Sequence, residues 1–225
     1  MTQPDSPVTI EVTVAAPIDA VWHSLRDHAA IRRWHGWDFD GLDAEITEIY
    51  GPAASEPAPY ELLLDGGDRF TLAVEGATTR VVLTRAPLGS DPPWDEWYED
   101  INEGWTTFLQ QLKFGLERHP GQDRRTLFLD ASGADLPDPT ALLRGPGLPA
   151  DGTFWFRSEH QHGLTLDPLG PGLVIAGTKP VRPGSPGGAM AIVTAYGLTD
   201  AEWTAARDRW VVWWRGHYPG AAEPV

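Results

Sequence analysis

Apolar residues recur at steps of three and four through Trp105, Phe108, Leu109, Leu112 and Leu116, while Thr106, Gln110, Lys113 and Glu117 fall on another side of the same projection. That period predicts an amphipathic helix over residues 103–119, stopped by Pro120 and Gly121. Such a stripe needs an apolar partner. The segments before it alternate with period two, so the expected partner is an antiparallel sheet with the helix in its concave face.

Residues 8–16 set Ile10, Val12 and Val14 against Thr9, Glu11 and Thr13, the pattern of a half-buried strand. Pro17 suits a first helical turn, and Ile18, Val21, Trp22 and Leu25 predict a helix over 17–26, with a further turn or two at 29–34. The chain turns at His35-Gly36-Trp37. Strands are then predicted at 44–50, 60–65, 69–75 and 79–85, separated by turn compositions such as Asp65-Gly66-Gly67-Asp68. Their inward sets are Ile46 and Tyr50, then Tyr60, Leu62 and Leu64, then Phe70, Leu72 and Val74, then Val81 and Leu83. Asp91-Pro92-Pro93 offers a cap and a proline first turn for the long helix.

The second half repeats the theme more loosely. Strands are predicted at 124–130, 153–159, 162–167, 173–179 and 189–196, with a short helix at 136–144 and a glycine-proline loop at 183–188. Thr199-Asp200-Ala201-Glu202 is a capping box opening a last helix to about Arg215. From Trp105, positions seven, eleven and fourteen further on are Leu112, Leu116 and His119; from Trp203 they are Trp210, Trp214 and His217. A second, reduced module over 122–225, after a first over 1–121, is the expectation from that echo.

The run Ala15-Ala16-Pro17-Ile18-Asp19-Ala20-Val21-Trp22, with Ile31-Arg32-Arg33-Trp34 after it, resembles the opening of the START-like or SRPBCC superfamily. Residues 79–84 followed by Gly104-Trp105 and 109–116 are similar to the closing signature of its branch named for the activator of heat-shock-protein ATPase. The resemblance covers about the first half of the chain. It implies an α+β helix-grip fold, a curved antiparallel sheet wrapped around a long C-terminal helix, with room between them for a small hydrophobic or aromatic molecule. Residues facing that space would be Trp37, Tyr60, Leu62, Phe70, Leu72, Leu83, Trp105, Phe108, Leu109 and Leu112. An ordinary filled core would use the same side chains.

Charge and composition narrow the partners. Seventeen Lys and Arg against 32 Asp and Glu leave a net charge of −15, which repels a phosphate backbone and argues against nucleic acid. With no cysteine there is no disulfide framework, thiol nucleophile or thiolate metal site. The polar N-terminus carries no leader pattern and no apolar run approaches the roughly 18 residues of a membrane span, so a cytoplasmic protein without a membrane partner is expected. Eleven Trp beside 24 Gly and 21 Pro point to a deep aromatic core, a lined pocket or a partner surface. For the tryptophan-bearing terminal helix, packing on its own sheet comes first and a homodimer interface second.

Reactive constellations are sparse. His160 and His162, beside Glu159, would share one face of a strand, but two imidazoles do not make a metal site without a third ligand. No serine sits in a nucleophile elbow, the acidic pairs near residues 95–100 suit a helix start, and no cofactor motif is present. No catalytic centre is evident. Binding of a small hydrophobic or aromatic molecule is the leading expectation. A cyclase/aromatase-like enzyme using the same space, with Tyr60, His35 or Glu75 as proton-transfer groups, is the alternative, and a co-chaperone-like interaction role comes last.

Overall fold

The computed structural model describes residues 7–90, 97–133, 145, 153–167, 171–182 and 185–225. The chain forms two compact units, the first from residues 1–36 and 40–121, the second from Trp37–Phe39 and Gln122–Val225.

In the first unit β1 (Thr9–Val14) is followed by α1 (Ile18–Arg26), α2 (His28–Arg32) and α3 (Leu42–Tyr50). Then come β2 (Ser55–Ala58), β3 (Glu61–Leu63), β4 (Arg69–Glu75), β5 (Thr78–Thr84) and the long helix α4 (Tyr98–Arg118). The sheet order is β1-β5-β4-β3-β2, all antiparallel: a four-strand meander with the first strand added to its last. Register places Ile10 opposite Leu83, Leu83 opposite Phe70 and Phe70 opposite Leu62, so one apolar row crosses four strands. Leu62, Phe70 and Leu83 within it have no exposed surface. Helix α4 also manages the sheet's β1 edge. Lys113 Nζ donates to the Thr13 carbonyl at 2.8 Å, and the Ala15 amide donates to Glu117 Oε1 at 2.8 Å, which satisfies backbone groups an incoming strand would otherwise use. The opposite edge, β2, is short, exposed and contains Pro57.

Three expectations change here. Residues 44–50, read as a strand, are helical: Leu42, Ile46 and Tyr50 stand four apart and are all buried, a spacing that also satisfies alternation when sampled at every second residue. Asp43 and Glu45 in the first turn favour the helical outcome, because carboxylates offset the positive end of the helix dipole. Val74, placed inward, is 62% exposed, because it lies at the end of the sheet. Helix α4 buries Thr107, Gln111 and Phe114 together with Trp105, Leu109 and Leu112, so its inner face is wider than the apolar stripe. The cap proposed at Asp91-Pro92-Pro93 and the helix proposed at 136–144 lie outside the described residues.

The second unit runs β6 (Arg124–Ser132), β7 (Phe154–Arg157), β8 (Gln161–Leu166), β9 (Gly172–Arg182), β10 (Ser185–Tyr196) and α5 (Asp200–His217). Its sheet order, β6-β10-β9-β8-β7, has the same form as the first: opening strand, last strand of the meander, then the meander backwards. Strand β10 begins at Ser185 and so takes in much of the expected loop at 183–188. Thr199 caps α5 through a complete capping box with Glu202. Two antiparallel sheets, each followed by a helix, give the α+β helix-grip class in two modules. The core beneath α5 explains the tryptophans. Ala131, Ala176, Ala189, Ala191 and Ala195 on the sheet leave shallow places that Trp210 and Trp214 fill. The opposite face of β6 receives Trp37–Phe39: the Trp37 ring stacks on Phe128 with centroids 4.0 Å apart, and the Asp38 carboxylate accepts from the Thr126 amide at 2.8 Å.

No helix among the described residues is long and apolar enough to cross a membrane.

Candidate functional site

Between α4 and the first sheet the chain assembles aromatic rings around a polar core. Trp34 and His35 leave the end of α2, Tyr50 ends α3, Phe70 comes from β4, and Trp105 and Phe108 come from one turn of α4. Neighbouring rings meet edge-on or tilted: Trp34 with Phe70, Phe70 with Trp105, Trp105 with Phe108, and His35 with Phe108 at 4.8 Å. Of these six, Phe108 is the ring that is only half-buried.

His35 lies at the centre of this shell with 1% of its side chain exposed. Its Nε2 meets Glu45 Oε1 at 2.9 Å and its Nδ1 meets the Tyr50 hydroxyl at 3.1 Å. A carboxylate only accepts, so Nε2 carries the proton toward Glu45; in the neutral ring Nδ1 then accepts from Tyr50. The three groups form a carboxylate–imidazole–phenol chain that starts at half-exposed Glu45 and ends inside the shell. Burial first, then the negative charges of Glu45 and Asp68, push the Tyr50 phenol well above its usual range, so it stays protonated. Gln111 fixes the backbone around the imidazole by donating from its amide to the carbonyls of Trp34 and Gly36, each at 3.1 Å.

A second polar knot lies at the other side of Trp105. Asp68 accepts from Arg85 Nε at 2.9 Å, from the Ala86 amide at 2.8 Å and from the Trp105 indole at 2.9 Å. Arg85 also donates to Asn102 at 2.7 Å and lies over the Tyr98 ring. These bonds orient Trp105 against the sheet.

The ten residues singled out from the sequence divide three ways. Leu62, Phe70, Leu72, Leu83, Trp105, Leu109 and Leu112 are buried between helix and sheet, and Phe108 borders them. Tyr60 lies apart, its backbone at φ 59°, its ring edge-on to Trp22 and its hydroxyl donating to Asp19 at 2.7 Å. Trp37 is not with the others at all; it belongs to the second unit, on Phe128. Glu45, Tyr50, Asp68 and Arg85 were not singled out as site residues. The four-residue spacing of Leu42, Ile46 and Tyr50 was the signal that could have placed Glu45 beside His35. Glu75, offered as a proton-transfer group, is exposed near Arg80 at the sheet's end. Of the two histidines singled out in the second unit, His160 is 3.9 Å from Glu159 and His162 is edge-on to Phe154. Among the described residues no three His, Cys, Asp or Glu are grouped to hold a metal ion.

No protein-family model matches the chain, and no curated protein matches it. Several solved structures are similar at low identity. The crystal structure of DynU16, from the dynemicin biosynthetic locus, is 16% identical over 94% of this chain and 96% of that one, with a TM-score of 0.36. The di-domain ARO/CYC StfQ of the steffimycin biosynthetic pathway is 13% identical over 94% and 98%, with a TM-score of 0.33. The protein CV1439 from Chromobacterium violaceum is 20% identical over 48% of this chain and 96% of its own, with a TM-score of 0.30.

Proposed function

We propose that the first unit binds a small hydrophobic or aromatic molecule between α4 and the sheet, with Phe108 at the entrance. One observation carries this reading: the His35–Tyr50 end of the Glu45–His35–Tyr50 chain is buried inside an aromatic shell. An apolar core needs neither imidazole nor phenol there, and each would cost about 1–3 kcal/mol if it lost its hydrogen-bond partner. Apolar walls with a few convergent polar groups are the composition of a ligand site. Phe108 is the ring of the shell with an edge to solvent, so its rotation is the least costly way to admit a guest.

The test is native mass spectrometry of protein from its own host, followed by equilibrium dialysis against naphthalene-sized probes. A retained small molecule or saturable binding is expected, and Phe108→Ala should change the affinity by about tenfold or more, a loss of ring contact worth roughly 1.4 kcal/mol. Val212→Ala, at a 72% exposed position on α5, should leave it unchanged. No retained mass together with no saturable probe binding would sink the reading.

The same chain favours a second reading, a cyclase/aromatase-like enzyme in which His35 passes a proton between Tyr50 and Glu45. A turnover that loses its pH dependence in Glu45→Gln would select it; binding without chemical change to the guest would select the first.

A further inference from the structure

The donor and acceptor inventory of the shell goes one step further than the binding reading on which it rests. Four side chains around the shell donate to protein acceptors. The Trp34 indole donates to the Ser24 carbonyl at 2.8 Å, the Trp105 indole to Asp68, the Gln111 amide to two carbonyls, and Arg85 to Asp68 and Asn102. Acceptor capacity is another matter. With the imidazole neutral, the Tyr50 oxygen spends its one proton on His35 and keeps its lone pairs, and Glu45 gives one oxygen to the imidazole while the carboxylate has a second.

We infer that the site selects neutral aromatic molecules that donate a hydrogen bond, with the Tyr50 oxygen as the specificity-determining acceptor, and that Glu45 and Asp68 turn aromatic carboxylates away. A guest with a hydroxyl can donate to Tyr50 while that phenol donates to His35, which continues the chain by one link. A guest with a carboxylate would bring a third negative charge beside Glu45 and the Arg85-paired Asp68, and at Tyr50 would meet an oxygen whose proton already goes to His35. The field has already left its mark on the protein's own group: the same two carboxylates help hold the Tyr50 phenol protonated. Selection by refusal of the wrong charge gives larger ratios than apolar contact alone.

Three probes sharing one ring system separate these terms: 2-naphthol, which donates; 2-methoxynaphthalene, which cannot; and 2-naphthoate, which is anionic at neutral pH. Equilibrium dialysis of the full chain should rank 2-naphthol about tenfold or more above its methyl ether and place 2-naphthoate last. In Tyr50→Phe the difference between 2-naphthol and the ether should disappear while the ether's own affinity stays within about twofold. Should Tyr50→Phe lose the native circular dichroism, Glu45→Gln, a change at a half-buried position, serves instead and should raise 2-naphthoate affinity about tenfold relative to 2-naphthol. The inference is overturned if 2-naphthoate binds as tightly as 2-naphthol, or if Tyr50→Phe keeps the full preference. Equal binding of all three overturns it alone and leaves the binding reading standing; no saturable binding of any overturns both.

Discussion

His35 is held by its neighbours on both nitrogens, and the residue that fixes one of them, Tyr50, is itself placed by the glycine after it. Gly51 ends α3 at φ −82° and ψ −141°, and a Cβ there would lie 2.0 Å from the Thr47 carbonyl oxygen. That atom is backbone and cannot rotate away. Gly51→Ala must therefore shift the end of α3, the turn that carries the phenol. We expect a loss of about 1–3 kcal/mol in urea unfolding, the usual cost of forcing a group into filled space. Probe affinity should fall in the same variant, because Tyr50 and His35 lose their 3.1 Å register. Wild-type stability in Gly51→Ala would show that the helix end yields freely. A different outcome is expected at Gly76, whose φ of 64° lies in a hairpin with open space around it: alanine there is strained by backbone conformation and meets no neighbour.

At the scale of elements, the two terminal helices are built on opposite rules. Helix α4 presents side chains of mixed polarity, Thr107 and Gln111 among leucines and aromatics, to a sheet whose inner row is large: Leu62, Phe70 and Leu83. Helix α5 presents indoles to a sheet whose inner positions include five alanines. The second arrangement is close packing of large on small, so removing the large partner leaves a hole the alanines cannot fill. Trp214→Ala should cost about 3–5 kcal/mol in urea unfolding followed by far-UV circular dichroism. Trp213→Ala, at a half-buried ring that leans on His217, should cost about 1 kcal/mol or less. Equal losses would mean the sheet closes over the space.

The same elements show what the sequence makes legible. Apart from β2, which no predicted strand covers, the strands of both sheets and the start of α5 could be read because alternation, hairpin glycines and a capping box are local signals. Helix α3 could not: in nine residues, periods of two and four select overlapping positions, and Ile46 with Tyr50 satisfies both. That one ambiguity hid the site, since Glu45 reaches His35 only when the segment is helical. Trp37 escaped for another reason. It sits two residues from His35 in the chain, yet its ring is stacked on Phe128, a partner 91 positions away that no local pattern announces.

Across the whole molecule the tyrosines tie stability to alkaline pH. Burial raises the hydroxyl pKa of Tyr50 in the first unit and of Tyr196 and Tyr218 in the second, with Arg124 partly opposing the shift at Tyr196. In each case the folded chain holds the proton more tightly than the unfolded chain, whose tyrosines titrate near pH 10. The resulting stabilisation is fully present below that pH and is lost as pH rises through it toward the folded values. Each phenolate formed also adds to a net charge that is already −15 at neutral pH, so self-repulsion pushes in the same direction. Tyr60 differs, because its shift comes first from the hydrogen bond to Asp19, and that bond is exposed. It should ionise reversibly with the fold intact. A titration followed by phenolate absorbance and far-UV circular dichroism should therefore separate an early, reversible rise from a later one that coincides with unfolding. Asp19→Asn should move only the early rise, to lower pH, by removing the carboxylate that opposes the phenolate. Tyr50→Phe should move the unfolding limb to higher pH relative to the variant's own neutral-pH stability. A single reversible titration of all five tyrosines near pH 10, with the circular dichroism unchanged, would contradict the burial of Tyr50, Tyr196 and Tyr218 on which the argument depends.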